Sequence, residues 1–257
     1  MLLMRQFIFS MKNFLNLNQN FSRTPNYVNG KAPNELSFMK ILNFIRTDSI
    51  NFVWLGTIDY SIAWDYQKKI HKLIQDNKIN DTILFLEHPH VYTFGKNADK
   101  NNLLPSYNKL ADVIQSDRGG EITYHGPGQL VVYPIINLSR YKKSITWYIN
   151  TIESVIIDTL RKYKINASRK SGLTGVWVEE EKIAAIGVRL SKWITMHGFA
   201  LNVRPDMQFY KGMIPCGIFE YGITSIFELI NKKIDSNDII KDLIRQFSNN
   251  LRDLNEV

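Results

Sequence analysis

No apolar run in this 257-residue chain is long, and glycine, proline and asparagine break the short ones apart. The longest, LVVYPII and VIIDTL, fall far short of the roughly 20 residues that cross a bilayer, so no membrane span is expected. NFVWLG (51–56), TILFLE (82–87) and ITMHGFALNV (194–203) have the length and β-branched content of strands. Two stretches carry the helical period instead. In SIAWDYQKKIHKLIQDNK, Ile62, Tyr66, Ile70, Leu73 and Ile74 share a face, and in 144–164 Ile145, Ile149, Ile152, Ile156 and Leu160 do. A third helix is predicted over SNDIIKDLIRQFSNNLRDL, capped by Ser236. TGVWVEEEKIAAIGVRL reads as a hairpin turning over Glu179 to Glu181, and HPHVYTFGKNADKNNLL as loop with a strand at Val91 to Phe94. Many strands with a few helices imply one mixed α+β domain on a central sheet.

The first 38 residues differ, being rich in Asn, Phe and Ser and nearly free of acids. They read as a leader or an over-long start ahead of a domain at 39–257. Charge is spread unevenly: of the net +8, residues 1–48 hold +4 and the other 209 residues the remaining +4. A body this mildly basic suits an acidic protein at least as well as a polynucleotide, and no nucleic-acid motif is present. The single cysteine and the lack of a secretory signal point to a reducing compartment.

Chemistry concentrates in three places. Arg118-Gly119-Gly120-Glu121-Ile122-Thr123-Tyr124-His125-Gly126-Pro127-Gly128 has four glycines in eleven positions, bringing backbone N–H groups close to a ligand among polar side chains. Its spacing is neither a dinucleotide fingerprint nor a P-loop, and tight turns between strands remain the structural alternative. Lys182 opens KIAAIGVRL, where strict alternation puts it on one face with Ala184, Ile186 and Val188; it is either a surface lysine at the hairpin mouth or a cation held for use. Cys216, in IPCGI, can form no disulfide within the chain and serves either as buried packing or as a nucleophile. His125 and His197, each before a glycine, are candidates to line a pocket, while His88 and His90 are poorly spaced for chelation.

LEHPHVYTFGK, RGGEITYHGPGQLVVYPI, TGVWV, KIAAIGVRLSKWITMHGFALNV and IPCGI followed by GITSI together resemble the octanoyltransferases of lipoate biosynthesis, across about residues 51–230. The resemblance implies the fold of the biotin and lipoate ligase catalytic domains, a mixed sheet flanked by helices. It also implies transfer of octanoyl from acyl carrier protein to a lysine of a lipoyl domain, in 2-oxoacid dehydrogenase complexes or glycine cleavage H protein. Cys216 would carry the acyl group as a thioester and Lys182 would lower its pKa and move protons. Substrate would be bound by Arg118 through His125, by Ala185, Ile186 and Gly187, and by Gly198, Phe199 and Ala200. No ATP, metal, nucleic acid or membrane is implied, and a cytoplasmic monomer is expected, with organellar import through residues 1–38 as the alternative. An acyl slot would draw on Tyr92, Phe94, Tyr124, Val188 and Phe199, with core packing the commoner role for any single one of them. The rival within the same fold is an ATP-dependent lipoate or biotin ligase, which needs no cysteine; a basic nucleic-acid-binding module is the rival from another class.

Overall fold

A computed structural model describes residues 44–46, 50–214 and 221–251. In chain order the strands are β1 (Phe44–Arg46), β2 (Ile50–Thr57), β3 (Asp81–Glu87), β4 (Val91–Phe94), β5 (Asp112–Gln115), β6 (Thr123–His125), β7 (Gln129–Ile135), β8 (Ser168–Lys170), β9 (Leu173–Val178), β10 (Glu181–Ser191), β11 (Ile194–Asn202) and β12 (Gly222–Ile223). The helices are α1 (Tyr60–Gln75), α2 (Ile145–Lys162), α3 (Ile226–Ile230) and α4 (Ser236–Asn250).

The main sheet runs β1-β2-β3-β7-β11-β10-β9-β8, with β12 also on β10; β4 sits between β5 and β6 in a smaller sheet. The β2–β3 and β10–β12 pairs are parallel and the other pairs of the main sheet antiparallel. This is the mixed sheet flanked by helices that the sequence implied. On one face, Phe85, Val132, Phe199 and Leu201 meet Ile152, Ile156 and Leu160 of α2 and Ile240, Leu243 and Phe247 of α4. On the other, Leu84, Leu86, Val131 and Ala200 meet Ala63, Tyr66, Ile70 and Ile74 of α1. The small sheet keeps its own core of Tyr92, Phe94, Ile122, Tyr124, Phe209 and Met213.

Two local expectations change. Asp235, not Ser236, caps α4: its side chain accepts from Asn237 N, one residue earlier than the apolar pattern suggested. Ile145 heads α2 but is 42% exposed, and the buried face of the helix begins at Tyr148. Tyr92, Phe94 and Tyr124 take the other role open to them from sequence, packing in the core of the small sheet. The proposed leader, residues 1–38, and Cys216 lie outside the described residues. Among the described residues no helix is long and apolar enough to cross a membrane.

Candidate active site

Between the small sheet and the α1 face of the main sheet lies a cavity of about 240 Å³. Lys182 lines it, as do all of the substrate-binding residues predicted from sequence except Gly119 and Tyr124. Tyr124 is buried and its hydroxyl bonds His90 Nδ1 at 2.7 Å, while Gly119 donates its N–H to Val188 O at 2.9 Å. That last bond lays the glycine turn on β10. It requires a bare strand there, since a Cβ at Gly187 would stand 2.8 Å from Gly119 O and 3.3 Å from Arg118 Cδ.

Lys182 reaches the cavity through a break in the alternation of β10. The pairing with β9 shifts between Lys182 and Ala184, so Ile183 and Ala184 both join the core under α2 and α4. Lys182 therefore shares the cavity with Ala185, Ile186 and Gly187, while Ala184 and Val188, predicted on its face, do not line it. Its side chain is buried, with Nζ 4.6 Å from the centre of the Trp177 ring, a cation–π distance. Its main chain pairs with Ile223, and its carbonyl accepts from Thr224 N. Met213 and Ile223, the described residues on either side of the IPCGI segment that line the cavity, flank the same space.

The buried wall facing α1 is polar but closely satisfied. Arg118 donates from Nε and Nη2 to Thr93 Oγ1 and from Nη1 to Gly119 O, which fixes the start of the glycine turn. His125 Nδ1 lies 2.7 Å from Gln129 Oε1; Gln129 Nε2 faces Tyr124 O and Asn202 Oδ1, so the amide oxygen accepts and His125 carries its proton on Nδ1. His88 Nδ1 donates to Ile58 O, leaving Nε2 to accept from the Tyr133 hydroxyl at 2.8 Å. Burial lowers the pKa of His88 to about 4 and holds His125 well below the ordinary range, so both rings are neutral.

His197 departs from the strand pattern. Alternation on β11 would send it to the α2–α4 face with Phe199 and Leu201, yet its φ of +58° turns the ring toward Tyr60, Trp64 and Asp117. Its Nε2 lies 2.8 Å from Asp117 Oδ1, and its backbone N–H donates to Gln67 Oε1. Burial lowers its pKa, with the Asp117 carboxylate opposing. Asp117 precedes Arg118 and His197 precedes Gly198, so one contact joins the two predicted substrate-binding segments. His197 answers the sequence expectation of a pocket histidine. Tyr60, Tyr133, Val131 and Asn202 also line the cavity and are not singled out by sequence, although the last three lie inside the motifs quoted above. Of the slot residues proposed from sequence, Phe199 lines the cavity and Val188 does not. Among the described residues, no group of three or more His, Cys, Asp or Glu converges as a metal-ligating set.

This arrangement is a catalytic domain of the lipoate-ligase fold: a solved lipoate-protein ligase A bound with ATP superposes with a TM-score of 0.67 over 77% of this chain and 84% of that one, at 16% identity. The family described as the lipoyl protein ligase A/B catalytic domain matches residues 59–248. An octanoyltransferase of Cytophaga hutchinsonii is 43% identical over 213 residues, covering 74% of this chain and 87% of that protein. A chloroplastic octanoyltransferase of Arabidopsis thaliana is 47% identical over 180 residues, covering 67% of this chain and 64% of its own length. The chain belongs to the lipoyl protein ligase A/B catalytic-domain family and, within it, to the octanoyltransferases, which makes it an acyltransferase.

Proposed function

We propose that the chain moves an octanoyl group from the thioester of acyl carrier protein to the ε-amine of a lipoyl-domain lysine by way of a thioester on Cys216. The observation that carries this reading is the buried Lys182 lining the cavity together with Met213 and Ile223, which stand three residues before and seven after the cysteine. A lysine cation beside a thiol favours the thiolate, the form that attacks a thioester. Attack forms the Cys216 S–acyl bond, breaks the carrier's C–S bond and releases the carrier thiol, with the thiol proton passing to it through Lys182. The acceptor amine then forms the amide, expelling the Cys216 thiolate while Lys182, neutral at that moment, takes the amine proton.

The donor is already activated as a thioester, so the reaction needs neither ATP nor a metal. That separates it from ligation of a free acid through an adenylate. The acceptors would be lipoyl domains of 2-oxoacid dehydrogenase complexes or glycine cleavage H protein, and the working compartment the bacterial cytoplasm, or an organelle if residues 1–38 direct import. Incubation with octanoyl carrier protein and a lipoyl domain, with chelator and without ATP, should add one octanoyl group to the domain's lysine. Acylation only from free octanoate with ATP would contradict the reading.

A further inference from the structure

Asn202 ends β11 opposite Gln129 of β7, buried and lining the cavity. Both halves of its amide are engaged. Oδ1 accepts from the Tyr210 hydroxyl at 2.8 Å and from Gln129 Nε2 at 3.0 Å, while Nδ2 donates to Thr224 O at 2.9 Å. A main-chain carbonyl can only accept, so the bond to Thr224 fixes which way round the amide lies.

Tyr210 stands six residues before Cys216 and Thr224 eight after it. Other bonds hold each flank to its own neighbours: Ile214 N donates to Asn102 O before the cysteine, and Gly222 N to Glu180 O after it. Asn202 bonds both flanks. The bond to Thr224 has a second consequence, because Thr224 N donates to the carbonyl of Lys182 at 3.1 Å. Thr224 is thus pinned through its carbonyl to Asn202 and through its N–H to the main chain of the lysine. A leucine of similar shape at 202 would satisfy neither the Tyr210 hydroxyl nor Thr224 O, and would release both flanks at once.

We propose that Asn202 is a positioning residue that ties together the two flanks of the stretch bearing Cys216 and, through Thr224, holds them in register with Lys182, so that thiol and ammonium meet. The inference rests on the reading that Cys216 is the nucleophile and Lys182 the cation that favours its thiolate. Reacting groups misplaced by about 1 Å lose up to about 100-fold in rate.

Cys216 is the chain's one cysteine, so alkylation by iodoacetamide reports its thiolate. The test follows alkylation from pH 6 to 10, on variants that denaturant titration shows to be folded, alongside single-turnover acylation by octanoyl carrier protein. In Lys182→Ala the alkylation rate at pH 7, relative to its high-pH plateau, should fall about tenfold. Asn202→Leu should reproduce that fall with Lys182 in place and slow acylation about 10- to 100-fold at a nearly unchanged half-saturating donor concentration. Added to Lys182→Ala, it should lower the pH 7 ratio no further. Tyr210→Phe, which removes one hydroxyl, should move both readouts the same way by about threefold, and it carries the test if Asn202→Leu does not fold. Wild-type pH profiles in Asn202→Leu and Tyr210→Phe, with Lys182→Ala shifted, would overturn the positioning role while leaving the thiolate reading standing; a profile that Lys182→Ala leaves unchanged would remove both.

Discussion

The Cε of Lys182 lies 3.2 Å from where a Cβ on Gly175 would stand, and Gly175 holds a φ of +135°. The glycine of TGVWV is thus the space through which the lysine stem passes, and the tryptophan two residues on supplies the ring beneath the ammonium. Two motifs that lie apart in the sequence form one device on paired strands.

Gly175→Ala should therefore damage the site twice. The new methyl meets Ala184 O at 2.8 Å on a backbone that L side chains avoid, which costs about 1–3 kcal/mol of stability. It also displaces Lys182, so the folded fraction should acylate at least about tenfold more slowly, a loss of about 1.4 kcal/mol in the barrier. Denaturant titration together with single-turnover acylation checks both; a folded variant with an unchanged rate would contradict the placement.

On the proposed mechanism, in which Lys182 favours the Cys216 thiolate, Lys182→Ala should slow acyl-enzyme formation and move its pH dependence upward. Stopped acylation between pH 6 and 9 reads this out. An unchanged rate near pH 7 would remove the lysine from the mechanism.

Arg118→Lys keeps the charge but loses the planar fork that reaches Thr93 Oγ1 and Gly119 O together. Buried acceptors would be left short of donors, at about 1–3 kcal/mol, and the glycine turn would loosen from β10. A lower denaturation midpoint with a raised donor KM is expected, and wild-type values for both would contradict that role.

Stability should fall in mild acid. His88, with a pKa lowered from 6.5 to about 4 by burial, stays neutral in the fold while the unfolded chain takes up a proton. Its contribution is complete above pH 6.5 and is lost as pH falls toward 4, the loss reaching about 2 kcal/mol at pH 5. His125 and His197, lowered mainly by burial, act with the same sign. Urea titrations at pH 7.5 and pH 5 should show the drop, and His88→Gln should reduce it.

The strands and helices are legible because their periods are regular, and most of the cavity lining because it falls within a few long motifs. Alternation failed where the backbone breaks it. The bulge after Lys182 moves that residue off the face of Ala184, and the left-handed His197 turns against its strand. Neither break has a local sequence mark, since Ile183 and His197 are not residues that announce irregular backbone. Tyr60 and Asp117 were silent for another reason. Their partners, His197 and Ser116 for the tyrosine and His197 for the aspartate, lie mostly far along the chain, and only the packing of α1 over the sheet brings the cluster together. Aromatic content alone leaves Tyr92, Phe94 and Tyr124 open to the cavity or to the core, and the small sheet takes them for its core.

The covalent intermediate on Cys216 is the central claim, and the mass of the intact protein after brief incubation with octanoyl carrier protein and no acceptor tests it most directly. One octanoyl group is expected, mapped to Cys216, removed by hydroxylamine and absent in Cys216→Ser. Transfer to a lipoyl domain by the Cys216→Ser variant at the wild-type rate, with no adduct on the wild type, would contradict it.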